Sequence, residues 1–350
     1  MQKITIAYIA NGKSTNRYHL PFVLQLQDKF QVKTIYARHL EKTEWKRVDG
    51  IRYTDKIEDI YEDPAIDLVI ICTPAPLHYT YVKEVLSHNK HCVCEKPFME
   101  TEAQAKECFT LAKEKGLLLE CYQNRRFDSD FLTVQKVIAS KVLGDIQEVE
   151  LSFDYYRPEV PAKAPFSRIN SFCYGHACHT LDQVISYWGK PESIHYDVRQ
   201  LLGEGHMNDY FDLDLYYAHA LKVSIHSSYF RLVPRPSFIV YGTKGRFIKE
   251  TKDLQERDLK RFYMPEEHPD FGKDTPAEYG TLTYMDSEGI YHEEKFPSVD
   301  GGYEKYYEAL YETLVCHKAP LVTEEQTLLQ LHYLEEGIKD YINAYLVNTL

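Results

Sequence analysis

Residues 91–126 read HCVCEKPFMETEAQAKECFTLAKEKGLLLECYQNRR. His91–Cys94 has the length and apolar character of the end of a strand, and the chain beyond Pro97 reads as a loop entering a helix. Glu95 and Lys96 therefore fall at a strand's C-terminal end, the edge of an open α/β sheet at which ligands bind. A lysine placed there can donate to a substrate oxygen or answer to a neighbouring charge. Thr101 followed by Gln104 matches a capping box, and Gly116 supplies the stop. Between them Ala105, Cys108, Phe109 and Ala112 recur on one helical face, which predicts a buried stripe. Leu117 to Tyr122 is an apolar run of strand length, closed by the polar residues Gln123 to Arg126.

Upstream, Ile4, Ile6, Ala7, Ile9 and Ala10 predict a buried first strand. The turn after it, ANGKST over 10–15, keeps only the middle glycine of the dinucleotide fingerprint G-x-G-x-x-G, the one that lets backbone approach a pyrophosphate. Gly12, Lys13, Ser14 and Thr15 are the candidate phosphate contacts, ahead of a helix expected over 18–26 with Pro21 in its first turn. A second strand is expected over 31–37. Ala37 stands where NAD-preferring folds carry an acidic residue for the ribose 2′-hydroxyl, and Arg38 and His39 follow, which favours NADP over NAD. Asp67–Cys72 is a further apolar strand. Strand and helix alternate through Tyr122, the pattern of a doubly wound parallel sheet.

Beyond Arg126 the pattern changes. Val149, Leu151 and Phe153 alternate with polar residues, as in an antiparallel strand with one buried face. Strand signals recur at 221–225, at 238–241 and 247–249 around Gly242 and Gly245, and at 280–284; helical periodicity returns at 303–316 and 324–345. Residues 157–170 and 255–279 lack regular pattern and read as long binding loops. The expected fold is a dinucleotide-binding α/β domain over 1–125 and an α+β domain over 126–350, whose large, mostly antiparallel open sheet is flanked by helices and serves substrate binding and oligomerisation. A sheet with helices on one face leaves the other to be covered, so a homodimer or homotetramer is expected.

Composition narrows the class. A net charge of −12, from 41 Lys+Arg against 53 Asp+Glu, argues against nucleic acid or an anionic membrane as the main partner. No apolar run reaches spanning length and the N-terminus carries no signal-peptide pattern, so a cytoplasmic location is expected. The eight cysteines lie mostly in apolar runs and form no CxxC pair, which suits reduced core thiols.

The run CEKPFMETEAQAKECFTLAKEKG with LLLECYQNRRFDSDF after it resembles the signature of the glucose–fructose oxidoreductase, inositol dehydrogenase and rhizopine-catabolism family, Gfo/Idh/MocA. The likeness is close over about the first 200 residues and collinear to the end. It implies a Rossmann domain with Lys96 in the catalytic site. It also implies that Thr73, Pro74 and His78, from TPAPLH, lie beside the cofactor's nicotinamide half. SFCYGHACHTLDQVISYWG over 171–189 resembles the family's Y-D-L-G-x-H-x-x-D-Q segment, so His179 matches its acid/base histidine. Gly175 stands where the family carries an aspartate that assists this histidine. Asp182, on the same helix face, and His176 are the candidate replacements. Cys173, His176, Cys178 and His179 are zinc-ligand types, but adjacent Cys178 and His179 diverge where structural sites use two spaced pairs, so no metal is expected.

What the resemblance implies is an NAD(P)-dependent dehydrogenase or reductase acting on a secondary alcohol, or matching ketone, of a sugar, polyol or cyclitol. His179 would move the proton and Lys96 would stabilise the alkoxide. Glu95 would bind cofactor ribose, Tyr122, Asn124 and Arg125 would shape the pocket mouth, and Arg157 would reach the substrate. The rival expectation, favoured by Gly175, is a catalytically silent NAD(P)-sensing regulator of the same fold.

Overall fold

Six short strands, the central ones apolar, pair side by side to make the first sheet. They are β1 (Ile4–Ile9), β2 (Phe30–Tyr36), β3 (Arg52–Thr54), β4 (Leu68–Ile71), β5 (His91–Cys94) and β6 (Leu119–Cys121), all parallel, in the order β3-β2-β1-β4-β5-β6. This is a computed structural model, and it describes residues 2–163, 168–169, 171–203 and 206–348. Strand order reverses between β1 and β4, so the crevice that binds ligands in such sheets opens at the C-terminal ends of these two strands. Both faces of the sheet are covered, and Ile6, Ile9, Val69, Ile70 and Val93 are fully buried accordingly. The unit comprises Met1–Asn124, Asp258–Phe271 and Tyr303–Leu328.

Helix Glu102–Glu114 carries the predicted stripe: Ala105, Cys108, Phe109 and Ala112 are its buried residues. Thr101 Oγ1 accepts from the Gln104 amide at 3.2 Å, and Gln104 reaches back to the amide of Glu100 at 3.2 Å. Gly116 follows with φ 65°, the left-handed stop. The helix expected from Tyr18 starts earlier, as a π-helical turn over Ser14–His19 that passes into Leu20–Val23. Pro21 has no N–H to give to the preceding turn, which widens instead of continuing α-helical. The second strand ends at Tyr36, one residue short of expectation, and the run 117–122 forms only three strand residues. Strand β3 carries no run long enough to have been read.

A buried polar chain ties this unit's core to its ligand edge. Tyr8 Oη lies 3.1 Å from Tyr307 Oη, Tyr307 Oη 2.6 Å from His19 Nδ1, and His19 Nε2 3.2 Å from Glu95 Oε1. The second Glu95 oxygen accepts the Lys96 amide at 3.1 Å. Tyr8, His19 and Tyr307 are fully buried and Glu95 is 5% exposed. Only one direction of donation satisfies every proton: Tyr8 to Tyr307, Tyr307 to His19 Nδ1, and His19 Nε2–H to the carboxylate. The reverse would leave the Tyr8 proton with no acceptor among the described residues.

The second unit, Arg125–Arg257, Gly272–Gly302 and Leu329–Leu350, is built on eight strands. They are β7 (Ile146–Ser152), β8 (Ser193–Arg199), β9 (Tyr210–Tyr216), β10 (Lys222–Ser228), β11 (Phe238–Gly242), β12 (Gly245–Lys249), β13 (Gly280–Met285) and β14 (Tyr291–Phe296), ordered β14-β13-β12-β11-β7-β10-β9-β8. Every pairing is antiparallel except β7 with β10. One face buries Val149, Leu151, Val223, Ile225, Val240 and Phe247. The other carries charge, with Lys222 2.9 Å from Glu148 and His226 2.9 Å from Asp212. Strands β8, β9 and β14 were missed: β8 and β9 do alternate, with Ile194, Tyr196 and Val198 and then Phe211, Leu213 and Leu215 between polar residues, whereas β14 carries no such alternation. The irregular stretch 255–279 contains a short helix, Gln255–Lys260, and part of the stretch 157–170 lies outside the described residues.

Burial alone would raise the Glu95 carboxyl, but the hydrogen bond from His19, the charge of Lys96 and the Lys96 amide outweigh it and hold it at about 2, below its ordinary 4.5. A depressed carboxyl contributes stability that is present above its unfolded value and is lost as pH falls from about 4.5 towards 2. His19→Phe leaves that carboxylate buried and unpaired, with an expected loss of about 3–5 kcal/mol at neutral pH. Its pKa then rises towards or above the unfolded value, so the stability that the wild type loses as pH falls from about 4.5 towards 2 is already missing, and thermal melts from pH 2 to 7 should show a smaller fall on acidification than in the wild type. An unchanged melt would contradict the chain's role.

Candidate functional site

The first unit presents three segments at the ends of β1, β4 and β5. In the turn after β1, Ala10 stands at φ 93°, where the fingerprint has its first glycine, so the sharp turn is made without it. A Cβ at Gly12 would meet nothing within 4 Å, which leaves open space for a phosphate against the backbone. Among the described residues Asn11 Nδ2, buried beside the turn, has no hydrogen-bond partner, and neither has Thr73 Oγ1 at the end of β4. Two such polar atoms at one crevice, with the open Gly12 backbone between strand and helix, fit the polar end of a dinucleotide. Lys13 is exposed and Ser14 half-buried. Thr15 corrects the reading of the turn: it is fully buried and its hydroxyl donates to the Ala10 carbonyl at 2.7 Å, so it closes the turn and offers no hydroxyl to phosphate.

Arg38 and His39 are exposed just past β2, His39 lying 3.7 Å from Glu41. No carboxylate pairs with Arg38 among the described residues. A cavity of about 910 Å³ adjoins the first helical turn, lined by Lys13, Arg17, Leu20, Trp45, Arg47 and Phe262 among others. Lys13 is the only candidate cofactor residue on its wall, so cavity size alone does not locate the chemistry.

Four side chains sit differently from expectation. His78 is fully buried, its Nδ1 3.0 Å from the Pro97 carbonyl and its Nε2 3.0 Å from the Thr73 carbonyl. It pins the β4 loop to the Lys96–Pro97–Phe98 segment, and burial pushes its pKa down; Pro74 is exposed beside it. Glu95, expected on ribose, turns inward to His19 because a carboxylate this buried requires a donor. Tyr122, expected at a pocket mouth, is 1% exposed: its hydroxyl donates to the Tyr18 carbonyl at 2.6 Å and its ring lies 4.0 Å from that of His19. Asp182, considered below, is the fourth. Lys96 is half-buried ahead of a cis bond to Pro97, and its ammonium has no partner among the described residues.

In the second unit, His179 stands in the first turn of helix Cys178–Trp188, 6% exposed, after the π-helical turn Cys173–Ala177. Asp182 does not orient it: both its oxygens are taken by Arg126, at 2.8 Å from Nε and 2.7 Å from Nη2. A buried carboxylate and a buried guanidinium satisfy each other better than a carboxylate and a neutral imidazole can. His176 points to the Phe172 carbonyl at 3.3 Å and the Tyr229 hydroxyl at 3.5 Å. At Gly175 a Cβ would meet nothing within 4 Å, so the departure from the family's aspartate has no steric cause. Arg125 is bound by Asp128 at 3.2 Å and Glu256 at 2.7 Å, and its carbonyl accepts from Gln183 at 2.8 Å; in the first unit Asn124 is buried. Arg157 lies half-buried with its guanidinium carbon 4.6 Å from the centre of the Tyr155 ring. Sequence reasoning missed His19 and Tyr307, partners 288 residues apart that no local signal connects, and Lys252, which belongs to no motif.

Among the described residues no helix is long and apolar enough to cross a membrane. Residues 4–123 match the family model described as an oxidoreductase family with an NAD-binding Rossmann fold, and 131–248 match the GFO/IDH/MocA C-terminal domain. The chain is 43% identical over 338 residues to the oxidoreductase YhhX of Escherichia coli K12, covering 96% of each. It is 32% identical over 340 residues to the scyllo-inositol 2-dehydrogenase (NADP(+)) IolW of Bacillus subtilis, covering 96% of this chain and 93% of that one. A crystal structure of an oxidoreductase from Bacillus cereus superposes with a TM-score of 0.89 at 37% identity, covering 96% of each. The two family models, matching 4–123 and 131–248, and a relative 43% identical over 96% of the chain make it a member of the Gfo/Idh/MocA family of oxidoreductases.

Proposed function

We propose that the chain is a nicotinamide-dependent dehydrogenase or reductase acting on a secondary alcohol, or the matching ketone, of a sugar, polyol or cyclitol, and that it prefers NADP to NAD. The observation that carries the reading is Lys96: an unpartnered ammonium at the C-terminal edge of β5, held in place by a carboxylate anchored in the core. IolW, similar over nearly its whole length, is named for such a reaction with NADP.

Asn11, Gly12, Lys13, Ser14 and Thr73 are the residues that would hold the cofactor, with Arg38 and His39 at the 2′-phosphate. When bound, the cofactor supplies the hydride acceptor or donor at its nicotinamide ring. This chain's residues do the rest. Lys96 stabilises charge on the reacting oxygen, in a setting where a fixed ammonium acts without rearranging. His179, whose side chain has a reference pKa near neutrality, takes or gives the hydroxyl proton. Residues 1–125 serve the cofactor and 126–350 the substrate. The regulator reading keeps one observation in its favour: Gly175 lacks the family's carboxylate and Asp182 is bound to Arg126, so neither assists His179.

A panel of sugars, polyols and cyclitols assayed with NADP and NAD separates the readings. On the substrate found, Lys96→Ala and His179→Ala should each lower turnover by roughly a hundredfold or more and combine non-additively, while cofactor affinity stays nearly unchanged. Normal turnover in both variants would sink the assignment. Arg38→Ala should weaken NADP binding roughly tenfold or more, the scale of one charged contact to phosphate, and leave NAD binding nearly as it was; equal losses would remove the preference.

A further inference from the structure

Three cations of the second unit gather on two aromatic rings. Lys252 Nζ lies 4.0 Å from the centre of Phe153 and 4.5 Å from that of Tyr155. The Arg125 guanidinium carbon is 4.8 Å from Phe153, and that of Arg157 is 4.6 Å from Tyr155. Nearby carboxylates are committed elsewhere: Asp128 and Glu256 bind Arg125, and Asp154 binds Arg235 at 2.9 and 3.0 Å. Lys252 donates only to a backbone oxygen, that of Asp154, at 2.7 Å. Among the described residues neither Lys252 nor Arg157 has a carboxylate partner, although both are half-buried, where an unneutralised charge is costly. Tyr155 links them to the proposed acid/base helix, its ring 5.1 Å from that of His176, three residues before His179.

Resting on the dehydrogenase reading, we propose that Lys252 and Arg157 bind an anionic group of the substrate, a carboxylate or a phosphate ester, so that the enzyme acts on an acidic sugar or polyol and not on a neutral one. The site has a built-in dependence on pH. Burial, and then the charge of Arg125, lower Lys252 to about 8, with Asp154, Glu256 and Asp130 pulling the other way and Tyr155 facing the ammonium. The anion-binding cation is therefore complete below about pH 8 and lost as pH rises through it.

The test uses the full chain loaded with NADP(H). Binding by calorimetry and steady-state rates are measured from pH 6.5 to 9.5 with D-glucuronate, D-gluconate, D-glucose 6-phosphate and myo-inositol. At least one anionic compound should bind roughly tenfold or more tightly than myo-inositol, the worth of one desolvated charge pair. Which of them does so distinguishes carboxylate from phosphate. That affinity should fall as pH rises above about 8 and level off near the roughly tenfold that losing the Lys252 charge costs. Lys252→Met should raise KM roughly tenfold and flatten this limb with kcat little changed, whereas Lys252→Arg, which keeps its charge, should hold affinity above pH 8. Neutral and anionic compounds binding alike, or no anion binding at all, would overturn the inference. If myo-inositol is turned over as well as the anions and Lys252→Met leaves KM unaltered, the inference falls and the dehydrogenase reading stands. Tight anion binding without turnover of any compound would uphold the site and overturn that reading instead.

Discussion

A carboxylate withdrawn from water has to be met by donors, and the edge of the first unit depends on how Glu95 is met. Its partner is the fully buried His19, itself held by Tyr307 and Tyr8, so four residues from β1, the first helix, the end of β5 and helix Glu304–Cys316 form one hydrogen-bonded line. Because the other Glu95 oxygen accepts the Lys96 amide, the position of the lysine backbone is set from the core outward. His78 packs its ring between the Thr73 and Pro97 carbonyls, donating to one of them, and so fixes the loop after β4 beside Pro97. The flexible stem of Lys96 is thus left to reach for a ligand from a fixed root, which is what an electrostatic catalyst needs.

This explains why a poor copy of the dinucleotide fingerprint suffices. Of the three glycines only Gly12 is kept, the one whose lack of a side chain lets backbone approach a pyrophosphate in such folds, and a Cβ there would meet nothing within 4 Å. At the first position Ala10 takes a positive φ, a conformation costing of order 1–3 kcal/mol outside glycine, and the Thr15 hydroxyl bonded to its carbonyl steadies the turn. The third position, Thr15, is buried against the strand, where a glycine would otherwise allow close packing.

Local signals in the sequence were read well wherever one residue's neighbours in the chain are its neighbours in space. The capping box at Thr101, the stripe from Ala105 to Ala112 and the stop at Gly116 all hold, as does the parallel order implied by alternating strand and helix. What was misread depends on partners distant in sequence. Asp182 was expected to serve His179 from the same helix, but Arg126, 56 residues away, meets it in a two-pronged pair. Glu95 and Tyr122 look like ligand contacts from their place after strands, and both turn inward because His19 and Tyr18 lie beneath them. The cation cluster at Lys252 was illegible for the same reason: its members lie at 125, 157 and 252, brought together only by the sheet.

On the proposed function this chain moves hydride between a nicotinamide and a carbinol carbon, with Lys96 stabilising the oxygen. The most direct measurement follows the atom itself. Wild-type protein is incubated with NADPH deuterated at C4 of the nicotinamide and a pool of keto-sugars and keto-acids, and the products are read by mass spectrometry and NMR. One deuterium is expected on the new carbinol carbon, delivered from one face of the ring only, with roughly a hundredth as much or less formed when Lys96→Met protein is used for the same short time. Bound cofactor that never delivers its label, or equal delivery by the Lys96→Met protein, would contradict it.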